Sequence, residues 1–440
     1  FRNKVTEEME KVARAYDVFK TIQLRQADDM ATFAGAKGEL KARLAALDEL
    51  LNRQMYGAVE STTDYDAWLR SHQPFHWLAE FYEIINDRGG FDVIIGNPPY
   101  VGYTRKNKET QVAICDTYKL SNYVTLPTSN LYSFTIERSV KIMSLVGKIG
   151  MIIPISAFSN DSMKELQDLF KAKLGNLYLS TFHQRPAQLF EGVLQRLSIF
   201  ISTNNRPNFP CFYTTGINRW ITETRNLLFK NISYVSVNQS KQQHFIKLGT
   251  GIERLIFMKY SSNKRISERL STIETDNNVY YRTAGGGYWV TFMNEEFDCV
   301  SVSNKHSSFN IESNHKVFSA ALNSNLFWWY YSVNYDLFNF KDYMIFSFQM
   351  TYPNKSVAEK LIVVSDKMEK FLRKNALFYE INSSTRGRNV TVTYQKNKSK
   401  PIMDEIDKIL AVHYGFTEEE LDFIINYDIK YRMGDELNEE

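Results

Sequence analysis

Residues 89–100 read GGFDVIIGNPPY, and this stretch decides the fold. Its apolar part, residues 91–95 (FDVII), is preceded by two glycines and closed by Gly96. A short apolar run that is bounded by glycines is typical of a strand buried on both faces, as in a parallel sheet. Ligands of open α/β sheets bind beyond the carboxyl ends of the strands. The loop of residues 97–100 therefore lies where an active site is expected.

The sequence that follows alternates between helical and strand patterns. Residues 130–144 have helical spacing with Asn130 as the predicted N-cap, and residues 161–172 form a second predicted helix. Strands are predicted at residues 148–154, 177–182 and 197–202. This order predicts a doubly wound, Rossmann-like α/β sheet over about residues 65–204. Residues 97–100 are expected at the carboxyl edge of a central strand.

The flanking segments have a different character. Residues 1–58 carry apolar positions at helical spacing and are predicted to form a helical hairpin before the catalytic domain of residues 59–240. Residues 241–400 contain short strand-like runs at 278–282, 288–292 and 389–394, and an aromatic core segment at 326–331 (LFWWYY). They are predicted to form an α+β domain, and residues 401–440 return to helix as a C-terminal tail.

Composition limits the class of protein. Hydrophobic residues make up 43% of the chain, which indicates a folded protein with real cores. The net charge of +3 neither requires nor excludes nucleic acid, because a DNA-binding enzyme needs a local basic surface rather than a basic total. Cys115, Cys211 and Cys299 lack zinc-ligand spacing, so no metal site is predicted and a reducing cytoplasm is expected. No apolar run reaches the roughly 18 residues of a membrane span.

The loop after the first strand presents few polar groups on a stiff backbone. Pro98 and Pro99 fix φ and remove two donors, which leaves the Asn97 amide, the Pro98 carbonyl and the Tyr100 ring. The exocyclic amine of adenine is a poor nucleophile because its lone pair is delocalised into the ring. The Asn97 oxygen and the Pro98 carbonyl would accept its two hydrogens and direct the lone pair toward an electrophilic methyl group, while Tyr100 stacks on the base. The alternative is a plain turn, which Asn-Pro and Pro-Pro pairs mark in any protein.

FDVIIGNPPYV resembles the catalytic motif of the gamma-class N6-adenine DNA methyltransferases, and the rest of the chain resembles the type IIG restriction-modification and phage-defence methylases. The resemblance implies an enzyme that transfers a methyl group from S-adenosylmethionine to a flipped adenine in double-stranded DNA. It gives catalytic roles to Asn97, Pro98 and Tyr100, and it places Phe190 and Pro99 in the pocket for the base. The alternative for Phe190 is a core aromatic residue. The further similar segments are residues 130–138, 147–154, 185–197, 280–290, 321–329 and 401–434.

One departure from the family pattern concerns the methyl donor. Methyltransferases of this class carry a Gly-rich donor loop, D-P-x-x-G-x-G, and an acidic residue upstream of NPPY, and neither is present here. The family's nuclease signature also has no counterpart. We therefore expect Phe1 to be an internal start, with an upstream segment or a partner chain supplying the donor-binding and nuclease parts. On its own the chain is expected to be inactive, to bind the donor weakly, and to leave an apolar sheet edge beside residues 91–95.

Basic residues in two places are candidates for phosphate contacts. Arg105, Lys106 and Lys108 follow the catalytic loop. A second set lies between residues 383 and 401 without an intervening acid, and residues 241–400 as a whole are expected to read the DNA sequence. In both places the alternative is a solvated loop. The second set consists of Arg386, Arg388, Lys396, Lys398 and Lys400.

Two other functions are compatible with these patterns. A noncatalytic DNA-recognition subunit would use the second half of the chain and keep NPPY as a vestige, and donor binding separates it from an enzyme. An RNA or protein-glutamine methyltransferase would use the same acceptors on a different amine. The long recognition half favours DNA.

Overall fold

The computed structural model describes residues 1–24, 30–59, 63–205, 207, 210–238, 244–284, 289–338, 340–383 and 387–433. The helices in chain order are α1 (Arg2–Leu24), α2 (Met30–Ala58), α3 (Tyr65–His72), α4 (Trp77–Glu80), α5 (Ile114–Thr117), α6 (Leu131–Ile142), α7 (Ser156–Ser159), α8 (Lys164–Lys173), α9 (Gly251–Tyr260), α10 (His315–Leu322), α11 (Asn325–Asn334), α12 (Asp342–Phe346), α13 (Lys355–Lys374), α14 (Lys400–Tyr414), α15 (Glu418–Asn426) and α16 (Ile429–Arg432). The strands are β1 (Phe91–Gly96), β2 (Met143–Pro154), β3 (Leu177–Phe182), β4 (Leu197–Thr203), β5 (Phe212–Asn218), β6 (Val235–Val237), β7 (Asn278–Arg282), β8 (Phe292–Met293), β9 (Asn304–Ser308), β10 (Ala376–Ser383) and β11 (Gly387–Tyr394).

The first two helices pack along each other, as the spacing of their apolar residues predicts. Val12 of α1 and Leu47 of α2 are fully buried in a small core between them. Tyr82, which follows α4, joins the same core. The exposed surface of the two helices carries charged pairs such as Glu39 and Arg43, whose charged atoms are 2.8 Å apart. One apolar stripe on each helix therefore accounts for the packing.

A mixed six-stranded sheet has the order β1-β2-β4-β3-β5-β6 in the described part of the chain. β1 and β2 are parallel and are connected through α6, which makes a βαβ unit. β5 and β6 are antiparallel. The predicted α/β class with a sheet that contains parallel strands is confirmed, and the helix and strands predicted around residues 130–202 are present.

β1 is an edge strand of this sheet, whereas the sequence predicts a central one. Its sheet neighbour among the described residues is β2, and the described residues that precede it contain helices and no strand. Val93 and Ile95 are 64% and 84% exposed, so the apolar sheet edge that the sequence predicts beside residues 91–95 is exposed. A central place for β1 would require a further strand beside it, and the open edge agrees with the expectation of an apolar sheet edge beside residues 91–95.

The largest apolar core lies in the second half of the chain and is centred on α11. Leu326, Trp329 and Tyr331 of this helix are at most 1% exposed, which confirms that the aromatic segment is core. The Ser324 side chain caps the helix by accepting a hydrogen bond from the Phe327 amide. Around α11 lie the helices of the C-terminal region and a three-stranded sheet in the order β8-β7-β9.

The chain forms two compact units. The first consists of Phe1–Ile153, Asp168–Leu177 and Phe200–Pro210, and the second of Pro154–Gln167, Tyr178–Ile199 and Cys211–Glu440. The domain boundaries predicted after residues 58, 240 and 400 stay predictions. Among the helices that the structure describes, none combines the length and the apolar character that crossing a membrane requires.

Candidate active site

The loop of residues 97–100 leaves β1 at the carboxyl end of the strand. Parallel pairing sets Gly96 opposite Met151, so Asn97 is level with Ile152 of β2. Asn97 is exposed, Pro98 is buried and Tyr100 is half-buried. The amide, the carbonyl and the ring that the sequence singles out thus occupy one short loop at the edge of the sheet where ligands bind.

The chain beyond this loop is tied to the start of α6. The Leu131 amide donates to the Val101 carbonyl at 3.0 Å, and Gly102 forms an isolated β-bridge with Asn130. Asn130 occupies the predicted N-cap position with extended backbone angles, but its side chain makes no capping hydrogen bond within the described structure. These backbone bonds and the two prolines hold the loop in one conformation.

A buried carboxylate supports the turn that leads into α6. Glu137, which is 1% exposed, accepts hydrogen bonds from the Val124 amide at 3.1 Å, the Thr125 amide at 2.9 Å and the Thr125 hydroxyl at 2.8 Å. Lys141 approaches the same carboxylate at 2.7 Å. Burial alone would raise the pKa of Glu137, but the bonds from Lys141, Thr125 and Val124 outweigh it and hold the pKa below its usual value. Sequence reasoning missed this residue, because an acid next to Arg138 in a helix is predicted to lie at the surface.

The Tyr100 side chain is fixed at both its hydroxyl and its ring. The hydroxyl lies 2.6 Å from Asn97 Oδ1 and 2.9 Å from the Ile152 carbonyl oxygen. The ring meets the buried Tyr132 ring edge to face, with centroids 6.2 Å apart and an interplanar angle of 85°. Burial raises the pKa of Tyr100 to about 12, so the phenol keeps its proton at neutral pH. The sequence predicts the ring's role but not these hydroxyl contacts, which depend on the register of β1 against β2.

An apolar cleft of about 540 Å³ lies beside β1. Its volume is in the range of small-molecule sites, which is about 300–1,000 Å³. Pro99, a predicted wall of the base pocket, lines this cleft, and its role in binding a base stays a prediction. The other lining residues come from β1, α6 and the segments near them: Trp77, Phe91, Val93, Ile94, Ile95, Leu120, Tyr123, Leu131, Phe134, Thr135, Arg138, Ser139 and Ile142.

The loops after β1 and β2 lack the features that bind the nucleotide part of a methyl donor. Such a site needs a Gly-rich turn that opens a helix, and an acid for the ribose hydroxyls. The loop after β1 begins Asn-Pro-Pro and the segment after β2 begins Ile-Ser-Ala. The lining of the cleft beside β1 includes no carboxylate. Within the described ranges, no group of three or more His, Cys, Asp or Glu side chains is placed to hold a metal ion.

The first set of predicted phosphate contacts is accessible. Arg105, Lys106 and Lys108 are exposed in the segment that follows the loop of residues 97–100, and Lys398 of the second set is also exposed. Their contacts with phosphate stay predictions.

Lys396 of the second set differs from the prediction, whereas phosphate contacts of Arg386, Arg388 and Lys400 stay predictions. Lys396 is 3% exposed, donates to the Val290 carbonyl and lies 2.7 Å from Asn323 Oδ1. Burial lowers its pKa well below the usual value, so the prediction that it contacts phosphate is wrong. Lys400 is paired with Asp404. Arg386 lies outside the described residues. For Arg388 the structure describes the backbone position alone, which is in β11 opposite Asn382 of β10.

Phe190 belongs to the second unit and is 36% exposed. The segment before it is held by Arg225, which donates to the Gln188 carbonyl at 2.7 Å and to the Leu189 carbonyl at 2.6 Å. Arg225 carries no sequence signal, because its partners are backbone atoms far away in the chain. The proposed role of Phe190 against a base stays a prediction.

Comparison with known proteins identifies a family over part of the chain. Residues 17–190 match the Eco57I restriction-modification methylase family. The type II restriction enzyme and methyltransferase RM.Eco57I of Escherichia coli is 28% identical over 196 residues, which is 43% of this chain and 19% of the relative. A putative type II restriction enzyme and methyltransferase of Methanocaldococcus jannaschii is 37% identical over 84 residues, or 19% of this chain and 6% of the relative. The resemblance to restriction-modification methylases is confirmed, and the family match includes β1 and its loop.

Solved structures show only a distant likeness. The type IIL restriction-modification enzyme MmeI in complex with DNA has a TM-score of 0.39 and 12% identity, with 76% of this chain and 56% of that chain covered. The type ISP enzyme LlaBIII bound to DNA has a TM-score of 0.33 and 10% identity, with 78% of this chain and 36% of that chain covered.

Proposed function

We propose that this chain is the catalytic and target-recognition part of a site-specific adenine-N6 DNA methyltransferase of a restriction-modification or phage-defence system. The observation that carries the proposal is the loop after β1, where the Asn97 amide, the Pro98 carbonyl and the Tyr100 ring lie together at the carboxyl edge of the sheet. The family match over residues 17–190 supports it, because that segment contains the whole loop.

The acceptors of the loop would raise the low nucleophilicity of the adenine amine. The Asn97 side-chain oxygen and the Pro98 carbonyl each accept one amine hydrogen, which draws the nitrogen toward tetrahedral geometry and frees its lone pair. Pro98 and Pro99 have no N–H, so the backbone there offers acceptors and no competing donors. The amine gives up a proton only after it has acted as the nucleophile, so no general base is required beforehand.

The target base must leave the duplex to reach this loop. Unstacking costs a few kcal/mol. Stacking on an aromatic ring stabilises a base by about 1–3 kcal/mol, so stacking on the Tyr100 ring would offset much of the free energy of unstacking. The edge-to-face contact with Tyr132 keeps the ring in a fixed plane before the base arrives. Phe190 and Pro99 are the proposed further walls of the pocket.

The implied methyl donor is S-adenosylmethionine, which supplies an electrophilic methyl group when it is bound. The cleft beside β1 and the loops after β1 and β2 do not fit its nucleotide part, because the cleft has no carboxylate in its lining and no Gly-rich turn follows either strand. No role in holding the donor is therefore assigned to these side chains.

The proposed partner is double-stranded DNA. Arg105, Lys106 and Lys108 are exposed directly after the catalytic loop, where cations would contact the phosphates that flank a flipped base. Residues 241–400 are proposed to read the sequence of the site.

The test is Asn97→Ala in the complete enzyme that contains this chain, with N6-methyladenine mapped by sequencing of substrate DNA. Loss of a contact that acts in the transition state lowers the rate by about 10²–10³. We expect that loss together with unchanged DNA affinity. Asn107→Ala is the matched control, because Asn107 Oδ1 accepts from the Glu109 and Thr110 amides of an exposed turn, at 2.8 and 3.1 Å. Near-normal methylation by Asn97→Ala would contradict the proposal, and DNA binding without methylation by the wild type would favour a recognition subunit.

A further inference from the structure

The Tyr100 hydroxyl lies between two hydrogen-bond acceptors. It is 2.6 Å from Asn97 Oδ1 and 2.9 Å from the Ile152 carbonyl oxygen. A hydroxyl has one proton and two lone pairs, so it donates fully to one of them at a time. The Ile152 carbonyl can only accept, whereas the Asn97 carboxamide offers an oxygen and an NH₂ group. Two hydrogen-bond arrangements are therefore compatible with this geometry.

The two arrangements leave Asn97 in different states. When Tyr100 donates to Asn97, the phenol proton uses one lone pair of Oδ1, which is turned toward Tyr100, and the NH₂ group is turned away from Tyr100. When Tyr100 donates to Ile152, the phenol oxygen can accept an N–H from the Asn97 carboxamide after half a rotation, and Oδ1 is then turned away from Tyr100 with both of its lone pairs available. That terminal torsion has a broad, roughly two-fold profile, and Asn97 is exposed, so no core contact opposes the rotation. The second arrangement contains one hydrogen bond more than the first.

We propose that the Tyr100 hydroxyl sets which atom of the Asn97 carboxamide faces the target base, and so selects a base that presents an amine. This inference rests on the proposed function and concerns the same site. An amine donates to Oδ1 in the arrangement with the additional hydrogen bond. A carbonyl at the same place on the base requires the NH₂ group and therefore the arrangement with one bond fewer. Tyr100 thus positions Asn97 in addition to offering its ring for stacking.

The sheet fixes the positions of Ile152 and Tyr100, on which the choice between the two hydrogen-bond arrangements depends. This choice is called the Tyr100 switch below. Ile152 is level with Asn97 because β1 and β2 are parallel and Gly96 pairs with Met151. The Tyr100 ring is held against Tyr132, which is 1% exposed. Burial raises the pKa of Tyr100 to about 12, so the proton that the switch needs is present throughout the neutral range.

The test is Tyr100→Phe, which keeps the ring and removes the hydroxyl. One neutral hydrogen bond corresponds to roughly a three- to ten-fold change in an equilibrium. We expect kcat to fall by about that factor with KM for DNA unchanged, because stacking is retained. The specific readout is the ratio of affinities for duplexes with adenine or hypoxanthine at the mapped target position. Hypoxanthine carries a carbonyl in place of the amine, so the preference for adenine should shrink by about three- to ten-fold in Tyr100→Phe.

Tyr103→Phe is the matched control. The Tyr103 hydroxyl donates to the Tyr118 carbonyl at 2.5 Å and accepts from the Leu120 amide at 2.9 Å, so its loss lowers stability without touching Asn97. Its adenine preference and kcat should equal those of the wild type. If Asn97→Ala abolishes methylation while Tyr100→Phe keeps both the wild-type kcat and the wild-type preference, the switch is refuted and the proposed function stands. If Asn97→Ala methylates normally, the proposed function fails, and the switch fails with it.

Discussion

Glu137→Gln tests how strongly the buried carboxylate holds the turn before α6. In the wild type, Oε1 accepts from the Val124 amide at 3.1 Å and lies 2.7 Å from Lys141 Nζ. Oε2 accepts from the Thr125 amide at 2.9 Å and from the Thr125 hydroxyl at 2.8 Å. Glutamine keeps one oxygen and brings an NH₂ group. With the oxygen left on Thr125, the NH₂ group faces the Val124 N–H and the Lys141 ammonium, which are both donors.

The expected loss of stability follows from these hydrogen bonds. A hydrogen bond to a charged group contributes about 1.5–3 kcal/mol, and the Val124 amide would lose such a partner in a buried place. The Lys141 side chain is 47% exposed, so solvent screens its pair with Glu137, and such a pair adds about 0–1 kcal/mol. We expect Glu137→Gln to destabilise the turn by about 2–3 kcal/mol, which is roughly a 30- to 150-fold increase in its opening constant.

Hydrogen exchange at the Val124 and Thr125 amides measures this opening. The pH dependence is a second signature, because the folded pKa of Glu137 lies below its usual value. The contribution of the carboxylate is therefore complete above the unfolded pKa, near 4.5, and is lost as the pH falls through the lower folded pKa. Wild type and Glu137→Gln should differ most at neutral pH and converge in acid.

The control for this experiment is Glu39→Gln, which removes an exposed helical pair with Arg43 and should change stability by less than about 0.5 kcal/mol. If Glu137→Gln leaves the exchange of both amides within about two-fold of the wild type, the carboxylate does not hold the turn. A difference that persists at low pH would also refute the account, because it would not come from the charge of Glu137.

Two further predictions concern other charged residues. Lys247 is 1% exposed, its Nζ makes no hydrogen bond to the described residues, and burial lowers its pKa to about 7 although Asp336 acts in the opposite direction. Lys247→Met should raise stability at neutral pH by about 1–3 kcal/mol, because it removes a buried amine that has no hydrogen-bond partner among the described residues. It should also abolish the gain of stability that the wild type shows between about pH 7 and pH 10, and unchanged thermal melts would contradict both expectations. Replacing Arg105, Lys106 and Lys108 by alanine should reduce the salt slope of DNA binding by up to about 0.9 for each phosphate that these side chains neutralise, measured by anisotropy against a Lys37→Ala, Lys41→Ala control, and an unchanged slope would exclude their binding to phosphate.

The strand-to-loop unit at β1 was predictable because its determinants are local. The flanking glycines, the apolar run and the two prolines all act within residues 89–100, and the observed strand ends at Gly96. The same holds for α11, where continuous aromatic residues leave no polar face for solvent and all of Leu326–Tyr331 are buried.

Lys396 shows where local reasoning fails. Five basic residues without an acid nearby indicate a solvated or phosphate-binding surface when the sequence is taken alone. In the structure the Lys396 amine is inside the core, with Asn323 and the Val290 carbonyl as its partners. Both partners are more than 70 residues away in the sequence, so nothing near Lys396 indicates them. Exposure of a charge is a tertiary property, whereas the charge itself is a local one.

The same distinction separates what the catalytic loop is made of from how its hydrogen bonds are arranged. Asn97, Pro98 and Tyr100 are neighbours in sequence, so their shared chemistry could be inferred from residue types alone. The Ile152 carbonyl is 52 residues away from Tyr100 and contributes a backbone atom that any residue would supply. Only the parallel register of β1 and β2, with Gly96 opposite Met151, brings that carbonyl level with Asn97. In the proposed mechanism, the motif therefore specifies which groups meet the base, and the strand pairing specifies which atom of Asn97 is presented to it.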